Sequence, residues 1–257
     1  MAKVTLKTSA ELALMRTAGR LLAMVFSYLD NHVKAGISTM DINNLAERYI
    51  VDQLKARPAS KGQYGYQYVL NTSINHVVCH GVPSDNQQLK SGDIINVDIT
   101  LEKDGFIADS SKMYQIGDVS PLAKRLVAKT YEAMWQGIRV VKPGATLGDI
   151  GYAIQHFAEK HGYSVVREYC GHGIGREMHE EPAVLHYGRP ATGMVLQEGM
   201  TFTIEPMINQ GKAKVKVKKD GWTVVTSDKK LSAQCEHTIA VTSNGYEVLT
   251  LRDEERV

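Results

Sequence analysis

Four carboxylates and one imidazole, Asp98, Asp109, His172, Glu205 and Glu236, stand in stretches that are otherwise largely apolar or glycine-rich. Ionised Asp and Glu are seldom fully buried unless they are paired or bound to metal. An oxygen-rich set of this size with one imidazole can hold two divalent cations about 3.5–4 Å apart and lower the pKa of a shared water towards neutrality. That chemistry requires the elements carrying the five residues to converge.

Local patterning shows how they could. Asp104-Gly105 is a strong signal for a two-residue hairpin turn with both residues at positive φ. If the turn closes there, Lys103 faces Phe106 and Asp98 faces Ser111, which makes Asp109 the diagonal neighbour of Asp98 on one face. The run from Gly199 to Met207 reads as a strand with Glu205 at its far end, stopped by Pro206. Ser232 to Val241 reads as a second strand with Glu236 at its centre. His172 lies among Gly171, Gly173 and Gly175, which are expected to bend the backbone tightly around it. His179 precedes Glu180, Glu181 and Pro182, and His80 precedes Gly81.

Helices should support these strands. Thr8-x-x-Glu11 is a capping box opening a long amphipathic helix through Leu14, Met15, Ala18, Leu22, Val25 and Leu29. A second helix is expected over 39–54, a third from Ser120-Pro121 and a fourth over 147–161. The linkers before the second and fourth match at a constant offset of 108 residues: Lys34, Gly36, Ser38, Asp41 and Ile42 against Lys142, Gly144, Thr146, Asp149 and Ile150. This reads as one helix-pair and strand unit used twice, although helix-turn-helix linkers also converge on a glycine and a cap.

With these residues in place, the chain resembles the methionine aminopeptidases. The resemblance rests on Asn96-Val97-Asp98, the segment from Gly105 to Ser111, Gly171-His172-Gly173-Ile174-Gly175, Thr203-Ile204-Glu205-Pro206 and Gln234-Cys235-Glu236-His237, and it runs from about residue 8 to residue 251. The short interval between Glu205 and Glu236 lacks the long insertion of the eukaryotic second type, so the likeness is to the bacterial first type. It implies an α+β pita-bread fold: two pseudo-symmetric halves and a curved antiparallel sheet, with helices on the outer face and the metals on the other. Residues 1–257 would then be one metallopeptidase domain without extension or insertion.

The resemblance also implies roles. Asp98, Asp109, His172, Glu205 and Glu236 would bind two divalent cations (Co, Mn, Fe or Zn), and a metal-bridging hydroxide would attack the first peptide bond. Glu205 would shuttle the proton, His179 would donate to the developing oxyanion and His80 would contact the scissile amide nitrogen. Tyr66, Trp222, His80, Met178, His179 and Asn71 would contact the substrate, which is the N-terminal peptide of a nascent protein. A monovalent cation would sit near Asn75, Val77 and Ser232. The chain departs from the common bacterial pattern at Ser60, Gln63 and Asn71, where cysteine, tyrosine and cysteine are frequent. Same-fold alternatives are a proline-directed peptidase and a non-catalytic binding homologue.

Composition narrows the classes. A net charge of +2 shows no commitment to DNA. No apolar run approaches the length of a bilayer span, and Met1-Ala-Lys-Val-Thr-Leu-Lys carries no signal-peptide hydrophobic region. Three cysteines without a spacing framework fit reduced thiols in the cytoplasm, and Cys79 and Cys235, each preceding a site residue, are expected to face away from the site. The alternating lysines between Lys212 and Lys219 read first as the solvated face of an edge strand and second as a transient ribosome contact. A monomer is the family expectation.

Overall fold

The computed structural model describes residues 4–255, so Met1-Ala-Lys, part of the leader reading, and the last two residues of the 1–257 domain reading lie outside the described residues. Four helices carry the outer layer: α1 (Ser9–Leu29), α2 (Thr39–Arg48), α3 (Pro121–Arg139) and α4 (Leu147–Lys160). Thr8, Ser38 and Thr146 each close a full capping box with the acid at the third helical position. Ser120 accepts from the Ala123 N–H ahead of Pro121. The second helix is shorter than expected. It widens into a π-helical turn, Tyr49–Gln53, where Tyr49 stacks on Tyr28 at 4.4 Å and Ile50 is buried.

The repeated linkers make the same contacts in each half. Gly36 and Gly144 donate to the carbonyls of Leu89 and Leu196, and Thr39 and Leu147 donate to those of Gln87 and Met194. Leu89 and Leu196 return bonds to the carbonyls of Ile37 and Ala145. Ser38 bridges Gln88 as Thr146 bridges Val195. The matched sequence offset is therefore a matched structure, and the halves are pseudo-symmetric. Each has its own core: Leu22, Phe26 and Ile42 pack with Val97 and Leu101, whereas Leu126, Met134 and Ile154 pack with Phe202 and Ile239. Length and mean hydropathy, 1.3 over its most apolar window, would let α1 cross a bilayer. Its buried stripe instead joins the core over the hairpin strands, and Leu14 is left half exposed at the edge of that stripe.

Every strand pair is antiparallel, but the curved layer is four ladders rather than one continuous sheet. The hairpin of Ile94–Lys103 with Phe106–Gln115 has the expected register, Lys103 opposite Phe106, and its turn places Asp104 at φ 53 and Gly105 at φ 80. The two later strands differ from the sequence reading. Thr201–Ile204 and Met207–Asn209 are separated at Glu205-Pro206; Ser232–Gln234 and His237–Thr242 are separated at Cys235-Glu236. The flanking pairs, His237 with Ile204 and Gln234 with Met207, hold one register, so the two breaks face each other and set Glu205 across from Glu236. Pro206, which has no N–H to give a ladder, interrupts the strand without ending it.

Candidate metal centre

Register delivers the first two acids: Asp98 is opposite Ser111 and Asp109 is opposite Thr100, which leaves the two carboxylates diagonal on one face. Asn71 is paired with Asp98 from the other neighbouring strand. The second half meets this hairpin at Glu236, whose N–H donates to the Ser111 carbonyl at 3.3 Å while its own carbonyl accepts from Ser110 Oγ at 2.7 Å. Thr238 Oγ1 accepts from the Asp109 N–H and donates to the Asp109 carbonyl, at 3.1 and 2.8 Å. The halves are thus joined at the acids themselves.

His172 is on the strand Gly171–Gly173, between Thr201–Ile204 and Glu180–Val184. A carbonyl can only accept, so the 3.0 Å contact with Gly173 O assigns the proton to Nδ1. Nε2 then offers its lone pair 3.5 Å from Glu205 Oε1 and 3.8 Å from Asp109 Oδ2. Gly175 enters a bend, as the sequence reading expects, whereas Gly171 and Gly173 lie in the strand itself. They let three strands approach: a Cβ on Gly171 would fall 2.3 Å from Thr203 O, and one on Gly173 would fall 2.2 Å from Glu181 O. Gly173→Ala is expected to destabilise the protein by about 3 kcal/mol, because backbone rather than a flexible side chain must yield. Urea unfolding measures this, and a loss below about 1 kcal/mol would mean that the strands give way easily.

All five candidate ligands line one cavity of about 360 Å³. Ligand atoms of Asp109, His172 and Glu236 lie within 4.8 Å of one another. Burial pushes all four carboxylates up, Asp98 to about 7 and Glu205 to about 8, with Asp109 and Glu236 further raised by the neighbouring carboxylates. Burial holds the His172 imidazole down to about 4, so it is neutral and ready to ligate. Asp109 Oδ1 is buried without a hydrogen-bond partner among the described residues. Two buried and two partly exposed carboxylates, a neutral imidazole with its lone pair turned inward and an orphaned carboxylate oxygen are a donor set that fits divalent cations.

The remaining site residues of the sequence reading also border this cavity: His80, His179, Tyr66, Trp222, Met178 and Asn71, with the departures Ser60 and Gln63. His179 is 4.4 Å from His172 between ring centroids, and Tyr66 and Trp222 approach to 5.0 Å. His80 is held at φ 55, a conformation that costs a non-glycine residue free energy. Asn75, Val77 and Ser232 lie apart from the cavity lining. There the Ser232 N–H donates to Asn75 O at 2.8 Å and its hydroxyl donates to Asn209 Oδ1 at 2.7 Å.

Several contributors escaped the sequence reading. Thr203 Oγ1 accepts the His172 N–H and donates to Glu205 Oε1, while Gln234 Nε2 donates to Glu205 Oε2, at 3.0, 2.7 and 3.2 Å. Both residues stand two positions before a candidate ligand acid, so period-two alternation was the available signal. The Glu205 N–H, freed by the strand break, donates to Nε2 of the buried His186 at 3.1 Å. Tyr64 and Tyr169 join the lining. Cys79 corrects an expectation: it is buried but lines the cavity, where burial and then the charges of Glu205 and Asp98 raise its thiol. Cys235 does face away, into the core beneath α3.

Residues 13–243 match metallopeptidase family M24, and the chain belongs to that family. Within it, the chain is 51% identical to the methionine aminopeptidase of Escherichia coli (strain K12) over 254 residues, 99% of this chain and 96% of the relative. The crystal structure of methionine aminopeptidase from Rickettsia prowazekii superposes with a TM-score of 0.95 at 52% identity, covering 97% of this chain and all of the other. Prolidase from Pyrococcus furiosus shares the fold alone, with a TM-score of 0.76 at 20% identity over 96% of this chain and 66% of its own.

Proposed function

We propose that the chain is a methionine aminopeptidase: a metallo-exopeptidase that removes the N-terminal methionine from nascent proteins whose second residue is small. The observation that carries this reading is the convergence of all five family-pattern ligands on one cavity, in a chain half identical to such enzymes over nearly its whole length. Asp98, Asp109, His172, Glu205 and Glu236 would hold two divalent cations, drawn from manganese, iron, cobalt or zinc according to availability. When bound, the cations supply Lewis acidity and a water acidic enough to serve as nucleophile near neutral pH.

The chain's own groups do the rest. Glu205, its two carboxylate oxygens oriented by Thr203 and Gln234, takes a proton from the attacking water and delivers it to the leaving amine. His179 donates to the oxyanion as charge develops there. His80 contacts the scissile amide nitrogen. Tyr66, Trp222, Met178 and Asn71 form the walls for the first side chain, where soft and aromatic contacts favour a thioether by roughly 0.3–1.5 kcal/mol each. Lys212, Lys214, Lys216, Lys218 and Lys219 are exposed along and beside the edge strand Val215–Val217. They would offer ribosomal RNA a transient contact in the cytoplasm.

The test is methionine release from Met-Ala-Ser beside leucine release from Leu-Ala-Ser by the metal-loaded protein. A preference of at least about tenfold for methionine is expected, within the range that hydrophobic pockets reach. Comparable cleavage of the two peptides would contradict the substrate assignment.

A further inference from the structure

His179 stands on irregular backbone. Gly173 pairs with Glu180 across the strands Gly171–Gly173 and Glu180–Val184, and residues 174–179 connect the two without belonging to either. One carboxylate ties the start of this loop to its end. Glu180 Oε1 accepts the Arg176 and Glu177 N–H groups at 2.9 and 3.3 Å, and Oε2 accepts from Lys7 Nζ at 2.6 Å. Lys7 comes from the segment before α1, where its own N–H donates to Gly199 O at 2.7 Å. The lysine is therefore anchored on the backbone that leads into Thr201–Ile204.

Stability alone does not account for this ion pair. The Lys7 side chain is only 2% exposed. Lysine is almost never that buried without a partner, and a buried ion pair gains little over apolar side chains of like volume. The fold nevertheless makes room for it. A Cβ on Gly175 would fall 2.4 Å from Lys7 Cε and 2.7 Å from Glu180 Oε1. The third glycine of Gly171-His172-Gly173-Ile174-Gly175 is thus the gap that the lysine fills. The pair holds the loop just ahead of Met178 and His179. The His179 side chain makes ring contacts with His172 and Tyr64 and no hydrogen bond among the described residues, so its placement depends on the backbone that carries it.

We propose that Lys7 is a positioning residue for the peptidase reaction: through Glu180 it sets the loop that carries His179 to the oxyanion. The proposal rests on the aminopeptidase reading above. It is tested by kcat/KM for Met-Ala-Ser at saturating Mn²⁺ in the wild type, Lys7→Met, His179→Ala and the double variant, with Mn²⁺ affinity measured on each by calorimetry. Lys7→Met should lower kcat/KM by about tenfold, because a small misplacement caused far from the chemistry can cost up to about 10²-fold. In the His179→Ala background the same change should cost less than about twofold, since the group it positions is gone. Mn²⁺ affinity should be unchanged within about twofold, whereas disturbing the surroundings of a metal ligand typically costs about 10- to 100-fold. A loss of equal size in both backgrounds would overturn the proposal by assigning the effect to a general weakening of the fold. Weakened Mn²⁺ binding would also overturn it, by assigning the effect to His172. If Lys7→Met does not fold, Glu180→Gln, which keeps an acceptor oxygen for the two N–H groups but not the charge, replaces it with the same expected and contrary results. A wild type that releases no methionine from Met-Ala-Ser refutes the aminopeptidase reading, and this inference with it. An active wild type with equal losses in the two backgrounds refutes this inference alone.

Discussion

Asp109→Asn is expected to cut kcat/KM for methionine release by about 10³-fold or more, because a metal centre supplies several kcal/mol of charge stabilisation and each 1.4 kcal/mol is tenfold. The same substitution should make the metal-free protein more stable at pH 8, because it removes a charge that burial and the neighbouring carboxylates disfavour. Both effects come from one property of the site. Asp109 is buried, and desolvation followed by the charges of Asp98 and Glu205 raises its carboxyl well above the usual range. Asparagine removes the charge that the cation needs and that the empty cluster does not tolerate. The stability difference should shrink as pH falls towards 4, where the carboxyls of the cluster are protonated in the fold of both proteins. Chemical denaturation at pH 8 and pH 5 with chelator present measures this, and a variant less stable than its parent at both would show that Asp109 is held by something other than metal.

Metal removal is expected to leave a protein whose stability falls as pH rises. A carboxyl whose folded pKa lies above its unfolded value near 4 binds its proton more tightly in the fold. Its contribution is therefore complete below pH 4 and is lost as pH climbs through the folded value, about 7 for Asp98 and about 8 for Glu205. His172 and His186, which burial holds to about 4 and about 3, act in the opposite sense below pH 6.5, where the unfolded chain takes up protons that the fold refuses. The carboxylate effect is read without that opposition between pH 6.5 and 8. Mn²⁺ should reverse it, raising Tm by more at pH 8 than at pH 6.5, since the ligands must be deprotonated to bind. Thermal melts with and without Mn²⁺ across this window check the sign, and an equal shift at both ends would contradict it.

What could be read from the sequence was what short-range chemistry decides. Asp104-Gly105 admits one tight turn, and that turn fixed the pairing that brings Asp98 and Asp109 together. Ser38 and Thr146, each three residues before an aspartate, gave the two equivalent helix starts and with them the pseudo-symmetry. The rest depends on partners distant in the chain. Nothing local to Glu205 or Glu236 says that their strands break opposite each other, because the breaks are set by the contact of one half with the other at Ser111. Glycines beside His172 look alike whether they turn or pack closely, and only the carbonyls of Thr203 and Glu181 decide between the two. His186 and Cys79 were missed for the same reason: one accepts from Glu205 and the other faces the acids across the fold.

If the acid cluster is a metal site, the metal is what makes the chain a peptidase. Methionine release from Met-Ala-Ser by chelator-stripped protein, titrated with Mn²⁺ or Co²⁺ beside Asp109→Asn, tests it most directly. Release should be absent from the stripped protein, return with added cation in the wild type and fail to return in the variant. Full activity without metal, or an equal return in Asp109→Asn, would contradict the account.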